Sequence, residues 1–221
     1  MKIQINTNYL QKILKAFKNV NVKSIEVETQ RGLLIDVSDS IKLVTNNLEI
    51  QMESIIDGII MESGSVILPE STVKLLEHFK DDYIVITDTT ITHGSKELRY
   101  NNNLPVEDFS YFNEPVNKFL FETTEKELNR LLGVHYATVK EDFRDELEGI
   151  NIRENMFIAS DGFIGAIRYG SFNCNENVII SKPVWEVLRK ITNKRSDKLV
   201  KIYWDGKKYI KFKFEDYELT G

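Results

Sequence analysis

The fold is decided by the stretch Gly149-Ile-Asn-Ile-Arg-Glu-Asn-Met-Phe-Ile-Ala-Ser-Asp-Gly-Phe-Ile-Gly-Ala-Ile-Arg-Tyr169. Its apolar residues alternate with polar ones or form short runs, which is typical of strands. Ser160-Asp161-Gly162 predicts a turn, because glycine tolerates positive φ angles and aspartate bonds its own backbone. We therefore predict three short strands separated by polar turns. The stretch holds neither a nucleophile–base pair nor a metal-ligand spacing.

An earlier stretch has the same pattern: Gly32-Leu-Leu-Ile-Asp-Val-Ser-Asp-Ser-Ile-Lys-Leu-Val-Thr-Asn-Asn-Leu-Glu-Ile-Gln-Met52. Two further pairs of segments align at an offset of about 115 residues, which is longer than a solenoid repeat. They are Val66-Ile-Leu-Pro69 over Val178-Ile-Ile-Ser181, and Ile3-Gln-Ile5 over Phe119-Leu-Phe121. The offset predicts two homologous domains, residues 1–115 and 116–221. The alternative is that α+β proteins repeat such an order by chance.

The predicted unit is a strand, a helix and three strands, and each half of the chain contains this unit twice. The period changes from about 3.6 to two after the first helix, whose predicted N-cap is Thr7 or Asn8. From Ser24 onward the alternation predicts strands. The fold class predicted from this order is α+β, with two helices in each domain packed on antiparallel sheets.

The composition is that of an ordinary globular protein, with 221 residues, 42% hydrophobic and 29% charged. No apolar run approaches the roughly 20 residues that span a bilayer, and the amino terminus lacks the apolar core of a signal peptide. One cysteine excludes an internal disulfide, and three scattered histidines argue against a structural zinc site. We expect a cytoplasmic location and no cofactor.

The net charge of −5 is opposite to that of a simple basic nucleic-acid binder. Either nucleic acid is not the partner, or the positive charge is concentrated on one face against an acidic remainder.

Several short segments stand in the order known from one family: Thr45-Asn-Asn-Leu-Glu-Ile-Gln-Met52, Val66-Ile-Leu-Pro69, Leu104-Pro-Val-Glu-Asp-Phe109, Arg144 with Leu147 and Gly149, Ala159-Ser-Asp-Gly162, and Val178-Ile-Ile180. Their collinear order resembles the bacterial DNA polymerase III β subunit, the sliding clamp. The resemblance implies the DNA clamp fold and no catalysis. It also implies a ring that encircles duplex DNA without sequence preference and tethers a polymerase, after assembly by a clamp loader.

The chain departs from the family in its number of domains. Family members have three domains per chain and close a ring of six from two chains. Two domains per chain would need three copies for the same count, so the resemblance implies a homotrimer. The ring-closing edge should lie near residues 99–101, where apolar side chains are expected and Arg99 and Asn101 are polar.

Cations on the outward faces of the helices are the expected DNA-binding residues, with one further cation from a loop. They are Lys12, Lys15, Lys74, Arg130, Arg144 and Arg189. The alternative for each is a solvated cation on a polar helix face. Arg144 has a second alternative, since Asp142, Asp145 and Glu146 could hold it in local ion pairs.

The partner-peptide pocket of the family lies beside the Asp-Gly turn, where His-Arg-Leu normally follows the glycine. Here Phe163-Ile164-Gly165 stands in that place. We expect Gly162, Phe163 and Ile164 to form an altered apolar site.

Two other functions remain open on the sequence. The first is a clamp-fold protein that binds a protein partner without encircling DNA, such as a regulator or competitor of a full-length clamp. An enzyme is the second, because the acids of residues 141–148 include pairs that could act as acid and base. A solvated acidic loop is the simpler interpretation of that run.

Overall fold

The structure, a computed structural model, describes residues 1–20, 27–79, 83–140 and 144–221, without the side chain of Asp145. The chain divides into two compact units, Met1–Phe112 and Asn113–Gly221. Helices and antiparallel sheets make up both, which confirms the α+β class. The assignment of two homologous domains with a boundary after residue 115 stays a prediction. No helix in the described part of the chain is long and apolar enough to cross a membrane.

Unit 1 contains three helices and nine strands among its described residues. They are β1 (Lys2–Asn6), α1 (Thr7–Phe17), α2 (Glu28–Arg31), β2 (Leu33–Val37), β3 (Ile41–Asn46), β4 (Gln51–Ile56), β5 (Gly58–Glu62), β6 (Gly64–Leu68), α3 (Glu70–Leu76), β7 (Tyr83–Thr87), β8 (Thr90–His93) and β9 (Lys96–Arg99). One sheet has the order β5-β1-β7-β8-β9, and β6, β2, β3 and β4 are neighbours in that order in the other.

The N-cap of helix α1 lies one residue before the earlier of its two predicted positions. The Asn6 side chain accepts a hydrogen bond from the Tyr9 backbone N–H at 3.1 Å, so the predicted cap at Thr7 or Asn8 is wrong. Leu10, Ile13 and Leu14 recur at helical spacing and are buried. The opposite face of α1 is therefore left to polar residues.

The segment after β9 is anchored to unit 1 by its aromatic end. Phe109 is buried against Leu34, Val44 and Ile67. The Asn46 amide donates to the Ser110 carbonyl at 3.0 Å. The Leu-Pro-Val-Glu-Asp-Phe segment that carried part of the resemblance is thus a packing element of unit 1.

Unit 2 contains three helices and six strands among its described residues. They are β10 (Lys118–Thr124), α4 (Glu125–Leu131), α5 (Asp145–Glu148), β11 (Ile150–Ser160), β12 (Gly165–Ile180), α6 (Lys182–Ile191), β13 (Leu199–Trp204), β14 (Ile210–Lys213) and β15 (Glu218–Thr220). A 3-10 turn, Leu132–Ala137, extends α4. Strands β10, β13, β14 and β15 are neighbours in one sheet, and β11 pairs with β12 in a hairpin.

The prediction of three short strands over residues 149–169 is wrong. Two long strands, β11 and β12, occur instead. The polar residues within β11 form an irregularity in the strand and do not end it. The register with β12 shifts on both sides of Glu154, whose φ of 54° lies in the left-handed region. A bulge absorbs extra residues without ending a strand, whereas a turn would reverse the chain.

The strand alternation predicted from Ser24 also begins too early. Residues 21–26 lie outside the described residues, and Glu28–Arg31 is a short helix. The strands of this region start at Leu33. In the second half Thr124 caps α4, as predicted, by accepting from the Glu127 N–H at 3.2 Å.

One side-chain amide joins two of the three helices in each unit. The Gln11 amide on α1 donates to the carbonyl oxygens of Leu76 and Phe79 at the end of α3, at 3.1 and 2.6 Å. Asn129 on α4 donates to the Thr192 hydroxyl just past α6, at 2.8 Å. Both amides are at the fifth position of their helices. The last carbonyls of a helix have no partner within it, so a side chain from the neighbouring helix can satisfy them.

Replacing Phe157 with alanine should destabilise the protein strongly. Phe157 is fully buried on β11 and meets the edge of Phe172, with ring centroids 5.8 Å apart. Loss of a buried aromatic ring costs about 3–5 kcal/mol. Chemical denaturation followed by circular dichroism measures the change in the free energy of unfolding. Phe163→Ala, in the same hairpin but 97% exposed, is the matched control and should change it by no more than about 0.5 kcal/mol. Equal losses in the two variants would contradict the assigned core.

Candidate nucleic-acid and partner-binding surfaces

Three of the predicted DNA-binding cations belong to the helix pair of unit 1. Lys12 and Lys15 are exposed on α1 and stand three positions apart, which places them on one face. Lys74 lies on α3, which the Gln11 amide holds beside α1. Its ammonium is 2.7 Å from the Glu70 carboxylate, and 66% of its side chain is exposed. The nearby carboxylate partly cancels the field of Lys74.

Arg130, on α4, is held by several groups. Its guanidinium donates to both oxygens of Glu127, at 2.7 and 2.6 Å, and to the Tyr169 carbonyl. The hydrogen bond from Arg130 lowers the pKa of Glu127 from its ordinary value. The pair therefore stays charged on both sides, and Arg130 presents a weaker positive field than an unpaired arginine would.

Arg189 is exposed in the last turn of α6. Its charge acts on His135, which packs beside Trp185 with ring centroids 5.5 Å apart. Burial lowers the pKa of His135, and the positive charges of Arg189 and Arg168 lower it further. The neutral form of His135 is thus favoured beside two permanent cations.

Arg168 is a cation that the sequence analysis missed. It lies on β12, yet its guanidinium donates to the Arg130 carbonyl at the end of α4. Gly133 lies directly against it, since a Cβ there would be 2.6 Å from the arginine nitrogen and the guanidinium would have to shift. Arg168 and Arg189 form what we call the basic cluster of unit 2. No helical periodicity pointed to Arg168, since it reaches the helix end from a strand.

Arg144 lies in the described chain just before α5 and is exposed. Its carbonyl accepts the Leu147 N–H at 3.0 Å. Asp142 lies outside the described residues, and so does the Asp145 side chain. The predicted ion pairs of Arg144 with these two acids stay predictions.

The predicted partner-binding residues lie at the tip of the β11–β12 hairpin. The Asp161 carboxylate accepts the backbone N–H groups of Phe163 and Ile164, at 2.8 and 2.7 Å. These bonds lower the pKa of Asp161. Gly162 has a φ of 91°, which a side chain would strain. The Phe163 side chain, 97% exposed, protrudes from this fixed turn. The assignment of Gly162, Phe163 and Ile164 to partner binding stays a prediction.

Apolar side chains continue from the tip along one face of the hairpin. Ile158 lies opposite Ile167, and Met156 lies opposite Tyr169. Ile167 is 53% exposed and Tyr169 61%. Directly opposed residues share a face of the hairpin, so this face is apolar although the opposite face already holds the buried Phe157.

At the predicted ring-closing edge, β9 is the last strand of its sheet. Arg99 is exposed there and its Nε lies 2.8 Å from the Glu97 carboxylate. A groove of about 510 Å³ runs between this edge and α3 and is lined in part by Leu75, Leu98 and Leu104. Helical spacing predicts that Leu75 is buried, and it is 45% exposed. Leucine side chains therefore lie beside residues 99–101, within a groove whose lining is mostly polar.

No group of three or more His, Cys, Asp or Glu side chains among the described residues could hold a metal ion. Cys174 is buried, and burial raises the pKa of its thiol. A raised pKa disfavours the thiolate, which is the nucleophilic form.

The two units define the fold of the DNA sliding clamps, according to comparison with solved structures. A protein assigned as a DNA polymerase III beta subunit from Eubacterium rectale matches 100% of this chain with a TM-score of 0.89 and 22% identity. The DNA polymerase III subunit beta from Pseudomonas aeruginosa matches with 0.86 and 19%. The DNA polymerase sliding clamp from Bacillus subtilis matches with 0.85 and 19%. The predicted resemblance and the clamp fold are thereby confirmed.

The matches cover only part of each solved clamp chain. This chain spans 64% of the length of each of those three chains. No family model matches the chain. No curated protein matches it in sequence. The fold is therefore shown by structure, at identities too low to carry over the activity or partners of the solved clamps.

Replacing Arg130 with methionine should raise the pKa of Glu127 toward its ordinary value, because the hydrogen bond from Arg130 is the main cause of its depression. A carboxyl group whose pKa is depressed on folding stabilises the protein above its unfolded pKa, and that contribution disappears as the pH falls through the folded pKa. NMR titration of the Glu127 side chain measures the shift. Lys126→Met removes a neighbouring charge and is the matched control. An unchanged pKa in Arg130→Met would show that the ion pair does not form.

Proposed function

We propose that this chain is a clamp-like processivity factor, which encircles duplex DNA as a homo-oligomeric ring and holds a replication or repair polymerase on it. One observation carries the proposal: the whole chain has the fold of proteins that are described as sliding clamps and DNA polymerase III beta subunits. The chain length limits what that likeness transfers, so ring formation, DNA binding and polymerase binding are all parts of the proposal.

The proposed mechanism is topological and involves no bond chemistry. A ring that surrounds DNA needs only weak attraction to phosphates, without base contacts, so that it can slide. Exposed cations on helices supply such attraction, while the net charge of −5 means that acids predominate elsewhere. No cofactor takes part in this mechanism.

The predicted cations on helices carry the phosphate contacts in this proposal. Lys12, Lys15 and Arg189 are exposed on helix surfaces, and we assign contacts to them on that exposure. Lys74 and Arg130 each have a carboxylate within hydrogen-bond distance, so a phosphate must compete with it. Arg168 is added to the set as the strand-borne member of the basic cluster of unit 2.

We propose that the polymerase and the clamp loader contact the hairpin tip. Phe163 and Ile164 offer exposed apolar surface on a turn that Asp161 holds in place, so their presentation costs little conformational entropy. In this arrangement Phe163 would insert into a pocket of the partner protein, whereas in a pocket-type site the partner's peptide would insert into the clamp.

The same exposed tip favours a second candidate function. A clamp-fold protein could bind a protein partner through Phe163 and its apolar hairpin face without encircling DNA. Such a protein would act as a regulator or competitor of a full-length clamp. Oligomeric state separates the two candidates, because only the first requires a ring.

The solution mass should be that of a homotrimer, about 77 kDa, or three times the 25.7 kDa chain. Three copies of a two-domain chain would supply the six domains of a closed clamp ring. Sedimentation equilibrium over a hundredfold range of concentration measures the mass. A monomer at every concentration would exclude the ring for this chain and favour the partner-binding candidate.

Charge reversal of three exposed helix cations should weaken DNA binding. The triple variant Lys12→Glu, Lys15→Glu, Arg189→Glu should lose about tenfold or more in affinity for duplex DNA at low salt. The slope of its salt dependence should fall by about 0.9 for each phosphate that the protein no longer neutralises. Fluorescence anisotropy with one duplex at several salt concentrations measures both.

The matched control for this variant reverses three cations outside the helices. Lys2→Glu, Lys207→Glu, Lys208→Glu changes the net charge equally, and these residues lie on β1 and in the turn between β13 and β14. Its slope should stay close to that of the unmodified protein. Equal effects of the two triple variants would reject the assignment of the helix faces to DNA.

A further inference from the structure

Strand β5 leaves one edge of the five-stranded sheet open. It pairs with β1 on one side, and no other described strand lies on its second side. All five residues of Gly58-Ile-Ile-Met-Glu62 are exposed. The backbone N–H and C=O groups along an open edge are available to another strand.

The conformation of β5 is built into unit 1. A Cβ at Gly58 would lie 2.7 Å from the Gln4 carbonyl oxygen and 2.7 Å from Ile41, so only glycine allows β5 to approach β1 this closely. Gly64, after the strand, has a φ of 135°. The strand is therefore fixed at both ends, and its open edge is presented in an extended form.

The side chains of β5 present apolar surface on both sides of the sheet. Ile59, 57% exposed, lies opposite Gln4 on β1 and so faces outward. Ile60, 37% exposed, lies opposite the buried Ile3 on the core side. Met61 is 48% exposed, and the register with β1 shifts beside it. The register shift at Met61 interrupts the regular edge, but the three central residues of β5 carry no lysine, proline or inward charge of the kind that natural edge strands use against unwanted pairing.

Charge decides which strand can pair with this edge. The apolar centre lies between two carboxylates, Asp57 and Glu62. Asp57 is exposed, and Glu62 is 70% exposed with its carboxylate 3.7 Å from the Met1 ammonium. If two copies paired antiparallel about Ile60, Glu62 would face Gly58 of the other copy, beside its Asp57. Such like-charge juxtaposition is destabilising, whereas basic residues at the ends of the added strand would complement both acids.

We propose that β5 binds an extended peptide segment of a partner protein by β-strand addition. The segment has apolar side chains at its centre and lysine or arginine at both ends. Backbone hydrogen bonds to β5 supply affinity, the apolar residues contact Ile59 and Met61, and the basic ends contact Asp57 and Glu62. This site is independent of DNA binding and of ring formation.

The test uses the full chain and a fluorescein-labelled peptide with the core Val-Thr-Val-Thr-Val and two lysines at each end. Fluorescence anisotropy should show that it binds at least about tenfold more tightly than the same core with glutamates at each end. Asp57→Lys with Glu62→Lys should reverse this preference. Equal binding of the two peptides, or no binding of either, would overturn the proposal.

Two further measurements separate strand addition from general attraction of a basic peptide to an acidic protein. N-methylation of alternate backbone nitrogens in the lysine peptide keeps its charge but removes hydrogen bonds, and should abolish binding. Ile59→Lys should also abolish binding, whereas Leu199→Lys, the same change at a residue 53% exposed on β13, should not. Retained binding after N-methylation would refute strand addition.

A second copy of the chain is the competing occupant. If β5 paired with itself, Ile59→Lys would reduce the self-association measured by sedimentation velocity, and the lysine peptide would compete with it. We expect Ile59→Lys to leave the oligomeric state unchanged. A change in that state would replace the peptide by a second copy and contradict the proposal.

Discussion

In each unit a side-chain amide joins two helices where one of them ends. In unit 1, the two N–H groups of the Gln11 amide are shared among the carbonyl oxygens of Leu76, Glu77 and Phe79. In unit 2, Asn129 reaches the Thr192 hydroxyl, which itself donates to the Leu188 carbonyl at 2.7 Å. Carbonyl groups at the end of a helix would otherwise need water or a cap. The amides also hold the helices of a pair in one orientation, which determines the polar faces that they present.

The surface charges follow from that helix arrangement. Apolar stripes such as Leu10, Ile13 and Leu14 are buried against the sheets, so the cations between them remain outside. Ion pairs then modify the pattern, since Arg130 is held by Glu127 while Arg168 reaches the same helix end from β12. A phosphate-binding surface in this fold would arise from residues that are distant in sequence. Its strength would depend on local carboxylates as much as on the number of cations.

Three surfaces carry exposed apolar side chains, and each has a different physical character. The hairpin tip at Phe163 is a protrusion, the groove beside β9 is concave, and β5 is a flat edge with free backbone groups. A tip inserts into a partner, a groove receives side chains, and an edge adds a strand. These surfaces are therefore suited to different contacts.

Much of the fold could be predicted from periodicity and turn chemistry, because these depend on neighbours in sequence. Local sequence determines the capping of α4 by Thr124 and the turn at Asp161-Gly162. The alternation of periods along the chain predicted the α+β class, and the order of short segments led to the clamp fold. Tertiary structure decided the rest. Glu154 became a bulge because β12 runs alongside it, and β5 formed because Gly58 meets β1. Arg168 reaches the end of α4 from β12, where its guanidinium donates to the Arg130 carbonyl. Each of these features depends on a partner distant in the chain, and sequence spacing carries no record of that partner.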